Sequence, residues 1–158
     1  MQLCAGISLS VTSLINIGDR LLVIFDGHCA FCNRSVRWLL AHDRNDRLRF
    51  APSESPKLAA LLARHGFQAP AEAAALGTIL AVRNTGAAAE TVLGHSDAVL
   101  ALLHELPQPW PGIGSALGWI PRTVRDLGYR LIARSRNHIW GRLESCPVPT
   151  PEERERFL

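Results

Sequence analysis

Two cysteines three residues apart, within Asp26-Gly27-His28-Cys29-Ala30-Phe31-Cys32, carry the clearest chemistry in this chain. On an ideal helix such residues have Cα atoms ~5 Å apart, inside the ~4.4–6.8 Å that a disulfide spans. A pair on a first helical turn can therefore open and close with little backbone movement. The two sulfurs are not equivalent there. Cys29, at the helix tip, meets unpaired N–H groups and the positive end of the helix dipole, which favour a thiolate. Cys32 joins an apolar stripe with Val36 and Leu39 and is expected to be buried. Cys29 is thus the expected nucleophile and Cys32 the resolving thiol. Asp26 is placed to take or relay the proton of Cys32, or else only to cap the turn. His28 either favours the Cys29 thiolate when charged or stands as an exposed turn residue.

The same cysteines admit blander readings. One Cys-x-x-Cys pair is half of a zinc site, and a structural site normally takes four ligands. Cys146 or His28 would have to contribute, since the chain has no second close pair. Cys146 is an auxiliary candidate, a third thiol or an incidental one beside Pro147, and Cys4 is read as incidental. Placement between strand and helix favours redox chemistry over metal binding or inert packing.

That placement comes from hydrophobic patterning. Arg20–Asp26 is a continuous apolar run ending in an acid, as in a strand buried on both faces. Gly27 and His28 turn the chain, and Cys32, Val36, Leu39 and Leu40 then fall at helical spacing, fading by Asp43–Asp46. Leu48–Ala51 reads as a second strand, and Ser55 with Pro56 as the start of a helix to His65. Ala69–Leu76 reads as a short helix or connector. Thr78–Arg83 and Glu90–Leu93 read as a hairpin about Asn84-Thr85-Gly86. Ser96 is the expected cap of a helix ending before Pro107, Pro109 and Pro111. Two further helical stretches follow, Ile113–Ile120 and Pro121–Gly141. In the second, Val124, Leu127 and Leu131 share a face, and Asp126 is spaced to pair with Arg130. Crossover helices make the first two strands parallel, and the short turn makes the last two antiparallel.

With 158 residues, the chain is sized for one domain. Its 47% hydrophobic and 20% charged residues exclude a disordered or fibrous chain. The formal charge of +3 is too small to imply nucleic acid, and residues 1–112 balance nine basic against nine acidic groups. Residues 113–142 hold six Arg against one Asp. The Arg-rich part, residues 122–142, is a solvated helix face, or else it meets a protein partner or an anionic membrane surface. Trp110, Trp119 and Trp140 are expected to fix the C-terminal helices onto the sheet. His95-Ser96-Asp97 holds triad residue types that adjacent positions cannot bring together. Gly112-x-Gly114-x-x-x-Gly118 lacks the dinucleotide spacing. No run reaches the ~18–20 apolar residues of a membrane span. Met1–Gly18 lacks the basic start of a signal peptide, and four cysteines are too few for a secreted disulfide scaffold. Cytoplasm is the expected location.

The run Leu22–Ser53, with Asp26, Cys29 and Cys32, resembles the thiol-disulfide oxidoreductase DCC family, named for an Asp-x-x-Cys-x-x-Cys motif. The resemblance extends through Ser96-Asp97-Ala98, Tyr129–Arg134, Gly141-Arg142 and Cys146-Pro147, so it covers roughly residues 20–158. It implies an α/β, thioredoxin-like fold: a mixed four-stranded sheet flanked by helices, with a C-terminal helical extension. Residues 1–19 are then an N-terminal extension, 20–106 the core and 107–158 a helical extension of the same domain. The implied activity is thiol-disulfide exchange without an organic cofactor, on a disulfide or thiol partner such as a protein. Cys29-Ala30-Phe31-Cys32 also resembles the glutaredoxin Cys-Pro-aromatic-Cys motif, with Ala30 where proline would be, and on that basis a glutathione-like partner is a candidate. The rival is a non-catalytic metal-binding or protein-interaction module using the same cysteines. One departure stands out: thioredoxin-like enzymes place a cis-proline before the third strand, and here Leu76-Gly77-Thr78 precede it. The usual backbone docking of an extended substrate is thereby put in question.

Overall fold

The computed structural model describes residues 17–66, 79–85, 89–141, 143 and 149–158. Cys4, the 69–76 connector, Gly86, Arg142 and Cys146 lie outside the described residues. The elements are β1 (Leu21–Phe25), α1 (Ala30–His42), β2 (Leu48–Pro52), α2 (Ala59–Arg64), β3 (Leu80–Arg83), β4 (Thr91–Gly94), α3 (His95–Glu105), α4 (Trp110–Gly118) and α5 (Arg122–Trp140). The strands form one sheet in the order β2-β1-β3-β4. β1 runs parallel to β2 and antiparallel to β3, and β3 pairs antiparallel with β4. This is the mixed, helix-flanked α/β arrangement of a thioredoxin-like fold.

β1 is apolar throughout because both of its faces are covered. Leu21, Val23 and Phe25 pack with Cys32, Val36 and Leu39 of α1 and with Ala98, Ala101 and Leu102 of α3. Leu22 and Ile24 meet Leu58, Leu61 and Leu62 on the opposite side. Each such buried leucine is worth about 2–5 kcal/mol against alanine. α1 ends where Asp43 turns inward: its buried carboxylate accepts the backbone N–H groups of Arg47 and Leu48 at 2.9 and 3.1 Å. Beyond α5 the chain returns to β2, where Leu158 donates its N–H to the Phe50 carbonyl at 2.9 Å. The Phe157 ring sits against Phe25 and Phe50.

Several local expectations are corrected. Ser55 makes no side-chain cap; Pro56 opens a single 3-10 turn, and α2 proper starts at Ala59. α3 is capped by Gly94, and Ser96 lies inside it, its hydroxyl donating across to Asp126 of α5. Asp126 also faces Arg122, one turn before it, so the expected pairing with Arg130 is replaced. Arg122 and Arg125 reach Asp97 at 2.8 and 3.3 Å. These contacts turn α5 so that Val124, Leu127 and Leu131 are more than half exposed and a different face looks inward. Pro109 and Pro111 open α4 at Trp110, three residues before the expected start. Gly114 lets α4 approach α3, since a Cβ there would lie 3.2 Å from Leu103 Cβ. Of the three C-terminal tryptophans, Trp110 packs on the core and Trp140 on Phe31, but Trp119 is 91% exposed.

Candidate functional site

The turn after β1 is built by short polar side chains. Asp26 Oδ1 accepts the His28 N–H at 3.0 Å, the turn-capping role open to it in sequence. Asn33 clamps the other side, its amide donating to the carbonyls of Gly27 at 2.7 Å and Cys29 at 3.0 Å. Cys29 thereby becomes the N-cap of α1, its Sγ accepting the Cys32 N–H at 3.2 Å. An unpaired helix N–H aimed at a sulfur favours its thiolate.

Both cysteines are free thiols and almost fully buried, at 1% and 2% exposure. Their titrations are pushed in opposite directions. A hydrogen bond from the Cys32 thiol, stronger than the opposing cost of burial, brings Cys29 down to about 6; the Cys32 N–H and the charge of Arg136 act in the same sense. Cys32 is raised, first because its proton is shared with Cys29 and then by burial, with Arg136 opposing. One proton held by two sulfurs gives a thiolate at Cys29 and a thiol at Cys32 near neutral pH.

Arg136 is the residue that sequence reasoning passed over. It is 5% exposed, and its Nη1 donates to Cys32 Sγ at 2.9 Å. Its Nη2 lies 3.5 Å from Asp26 Oδ2. The guanidinium thus joins the carboxylate at the end of β1 to the second sulfur of the pair. A signal did exist: Tyr129, Ile132, Ala133, Arg136 and Trp140 recur at helical spacing, so one arginine stands within an otherwise apolar stripe. Burying a cation without a partner is costly, and such an arginine implies a buried acid or thiolate opposite.

α5 roofs the site. Trp140 packs on Phe31 with ring centroids 4.8 Å apart, and Leu143 donates its N–H to the His28 carbonyl at 2.8 Å. Just ahead of β3, Ile79 donates its backbone N–H to the Tyr129 hydroxyl at 2.9 Å. In the region where thioredoxin-like enzymes present backbone to substrate, that donor is turned to α5. Beside the pair lies a cavity of about 600 Å³ whose wall includes Phe31, Cys32, Trp38, Leu103 and Trp140.

The structure therefore brings Asp26, His28, Cys29 and Cys32 to one turn and adds Arg136. His28 is half-buried, and among the described residues its hydrogen bonds are made by its backbone. Cys146, the auxiliary candidate, lies outside the described residues. Among the described residues no group of three or more His, Cys, Asp or Glu side chains is gathered to hold a metal ion. No helix among them is long and apolar enough to cross a membrane.

Comparison with known proteins adds sequence kinship to this geometry. Residues 23–142, which contain Asp26, both cysteines and Arg136, match the family model of DCC1-like thiol-disulfide oxidoreductases. A chloroplastic DCC family protein of Arabidopsis thaliana is 32% identical over 137 residues, covering 87% of this chain and 74% of its own. The uncharacterized protein YuxK of Bacillus subtilis (strain 168) is 26% identical over 137 residues, covering 87% of this chain and 93% of its own. No solved structure gives a significant match.

Proposed function

The chain belongs to the DCC1-like thiol-disulfide oxidoreductase family, and from that premise we propose that it is an enzyme exchanging disulfides through Cys29 and Cys32. The observation that carries this reading is the placement of two free thiols at the N-terminus of α1, with Cys29 Sγ accepting the Cys32 N–H and Arg136 donating to Cys32 Sγ. This arrangement lowers the Cys29 titration and raises that of Cys32.

In the proposed cycle the Cys29 thiolate attacks a substrate disulfide and expels one substrate thiolate. Cys32 then gives up its proton and attacks Cys29, closing the Cys29–Cys32 disulfide and releasing the second substrate thiol. Arg136, already touching Cys32 Sγ, stabilises the charge that develops there. Asp26 holds Arg136 in place from the end of β1 and accepts the proton as Cys32 loses it. The thiolate already present at Cys29 needs no help from a charged His28, which is left the lesser part of tuning the turn. No organic cofactor enters the cycle.

The partners are a thiol or disulfide substrate, protein or glutathione-like, and the sparse cysteines suit a reducing compartment such as the cytoplasm. The outer face of α5 supplies a second contact in this reading. Val124, Leu127 and Leu131 are exposed there, with the exposed Arg122, Arg130 and Arg134 on the same helix. Apolar residues bordered by cations fit an anionic lipid surface.

The test is equilibration of zinc-assayed protein across thiol-disulfide buffers, followed by alkylation and mass spectrometry. A reversible two-electron transition of the pair, between about −300 and −120 mV, is expected. Stoichiometric zinc with no disulfide at any poise would overturn the reading in favour of a metal-binding module.

A further inference from the structure

The cavity beside the pair reaches one sulfur and not the other: Cys32 is in its wall, and Cys29 is not. Its lining is apolar, with Phe31, Trp38, Leu103, Ile132 and Trp140 contributing the large surfaces. Among the described residues, the charged side chains that line it are the cationic Arg34 and Arg136. Arg34 is exposed, at the rim. Arg136 is buried beside Cys32, and its Nε has no hydrogen-bond partner among the described residues. At about 600 Å³ the space is that of a small-molecule site, well within the ~300–1,000 Å³ such sites occupy.

We propose that a small aliphatic dithiol bearing a carboxylate binds in this cavity and reduces the Cys29–Cys32 disulfide by attacking Cys32. The proposal rests on the exchange reading above and adds to it the source of electrons. Charge complementarity selects the ligand: an aliphatic body lies against the aromatic walls, and the carboxylate meets Arg34 at the rim. Glutathione, polar along its length, would leave amide and carboxylate groups unpaired against those walls.

The chemistry balances. One ligand thiol loses its proton to solvent and bonds to Cys32 Sγ. The Cys29–Cys32 bond breaks, and Cys29 leaves as a thiolate. The second ligand sulfur then closes on the first, the bond to Cys32 breaks, and the proton of that second thiol goes to Cys32. The ligand has lost two electrons and two protons and leaves as a cyclic disulfide. The pair is returned as a Cys29 thiolate and a Cys32 thiol. Attack from the cavity leaves Cys29 as the departing thiolate, at the helix N-terminus where the Cys32 N–H meets its sulfur.

Rapid mixing of the oxidised protein with dihydrolipoate, dihydrolipoamide, dithiothreitol or glutathione, at matched thiolate concentration, tests this. Reduction is followed by tryptophan fluorescence, since Trp38 and Trp140 line the cavity. The expected result is a saturable rate with dihydrolipoate, at least tenfold above dithiothreitol and glutathione before saturation, and inhibited by octanoate. Arg34→Gln is expected to bring dihydrolipoate down to the rate of its amide. A rate for dihydrolipoate that is linear, equal to that of dithiothreitol and indifferent to octanoate would overturn the proposal while leaving the exchange reading intact. A pair that forms no disulfide under any oxidant would overturn both.

Discussion

Arg136 stands between Cys32 and Asp26, with one guanidinium nitrogen 2.9 Å from the sulfur and another 3.5 Å from the carboxylate. The contact joins residues 104 apart in sequence, so the turn holding the two cysteines is completed only when α5 folds back over it. Arg136→Met is expected to lower exchange at least tenfold and to destabilise the fold by about 3–5 kcal/mol, because Asp26 would be left buried without its cation. Arg136→Lys separates the two effects. It restores a charge near Asp26 but cannot serve both partners with one planar fork, so urea stability should recover further than the exchange rate does.

Cys29→Ser should abolish turnover. Cys32→Ser should leave a protein that still reacts once and then accumulates as a mixed disulfide on Cys29, detectable as an added mass. Full turnover in either variant would remove that sulfur from the role assigned to it.

The thiolate has a pH signature. Absorbance at 240 nm and alkylation rate of the reduced protein should both rise through a midpoint near the Cys29 value of about 6, against ~8.5 for an ordinary thiol. Stability should follow. Between these two values the unfolded chain holds a proton that folded Cys29 has already lost, so stability rises with pH there and falls away as pH drops through 6. Cys32 acts oppositely: it is raised in the fold, so its contribution is present below ~8.5 and is lost at higher pH. Urea titrations should show a gain on the order of 1–2 kcal/mol from pH 6 to 8. That gain should be absent in Cys29→Ser.

α5 is held at its N-terminal half by Ser96, which donates to Asp126, and by Asp97, which faces Arg122 and Arg125. Ser96→Ala should cost about 1 kcal/mol. It should also quicken hydrogen exchange at Ile79, whose N–H is bonded to Tyr129 on the same helix. Unchanged exchange there would mean that the roof is held by other contacts.

Vesicles containing anionic lipid should bind the protein and release it at high salt, and neutral vesicles should not. Leu127→Glu, at a position 60% exposed, should weaken that binding without altering the redox transition of the pair.

The sheet and the reactive turn were legible in sequence because their signals are local. β1 is an unbroken apolar run, and Cys29 and Cys32 fall on the first turn of the next periodic segment. Arg136 was not legible because its meaning depends on which face of α5 looks inward. Val124, Leu127 and Leu131 form an apolar stripe as regular as the one containing Tyr129, Ile132 and Ala133. What decides between them is the pull of Ser96 and Asp97 on Asp126, Arg122 and Arg125, a tertiary choice that periodicity does not encode. Ser96 failed as a cap for the same reason: its hydroxyl finds a carboxylate on another helix before it finds the backbone of its own.

The return of the chain to β2 has a bearing on solubility. β2 is the outermost strand on its side of the sheet, and such a strand offers unpaired backbone groups to any neighbouring chain. Leu158 takes the carbonyl of Phe50, and Phe157 forms a single parallel bridge with the same residue. The last two residues thus occupy the place an intruding strand would take. Arg156 fastens them, reaching Asp43 at 3.5 Å and Asp46 at 3.4 Å. Removing Phe157 and Leu158 would uncover the edge of β2 as a template for self-association.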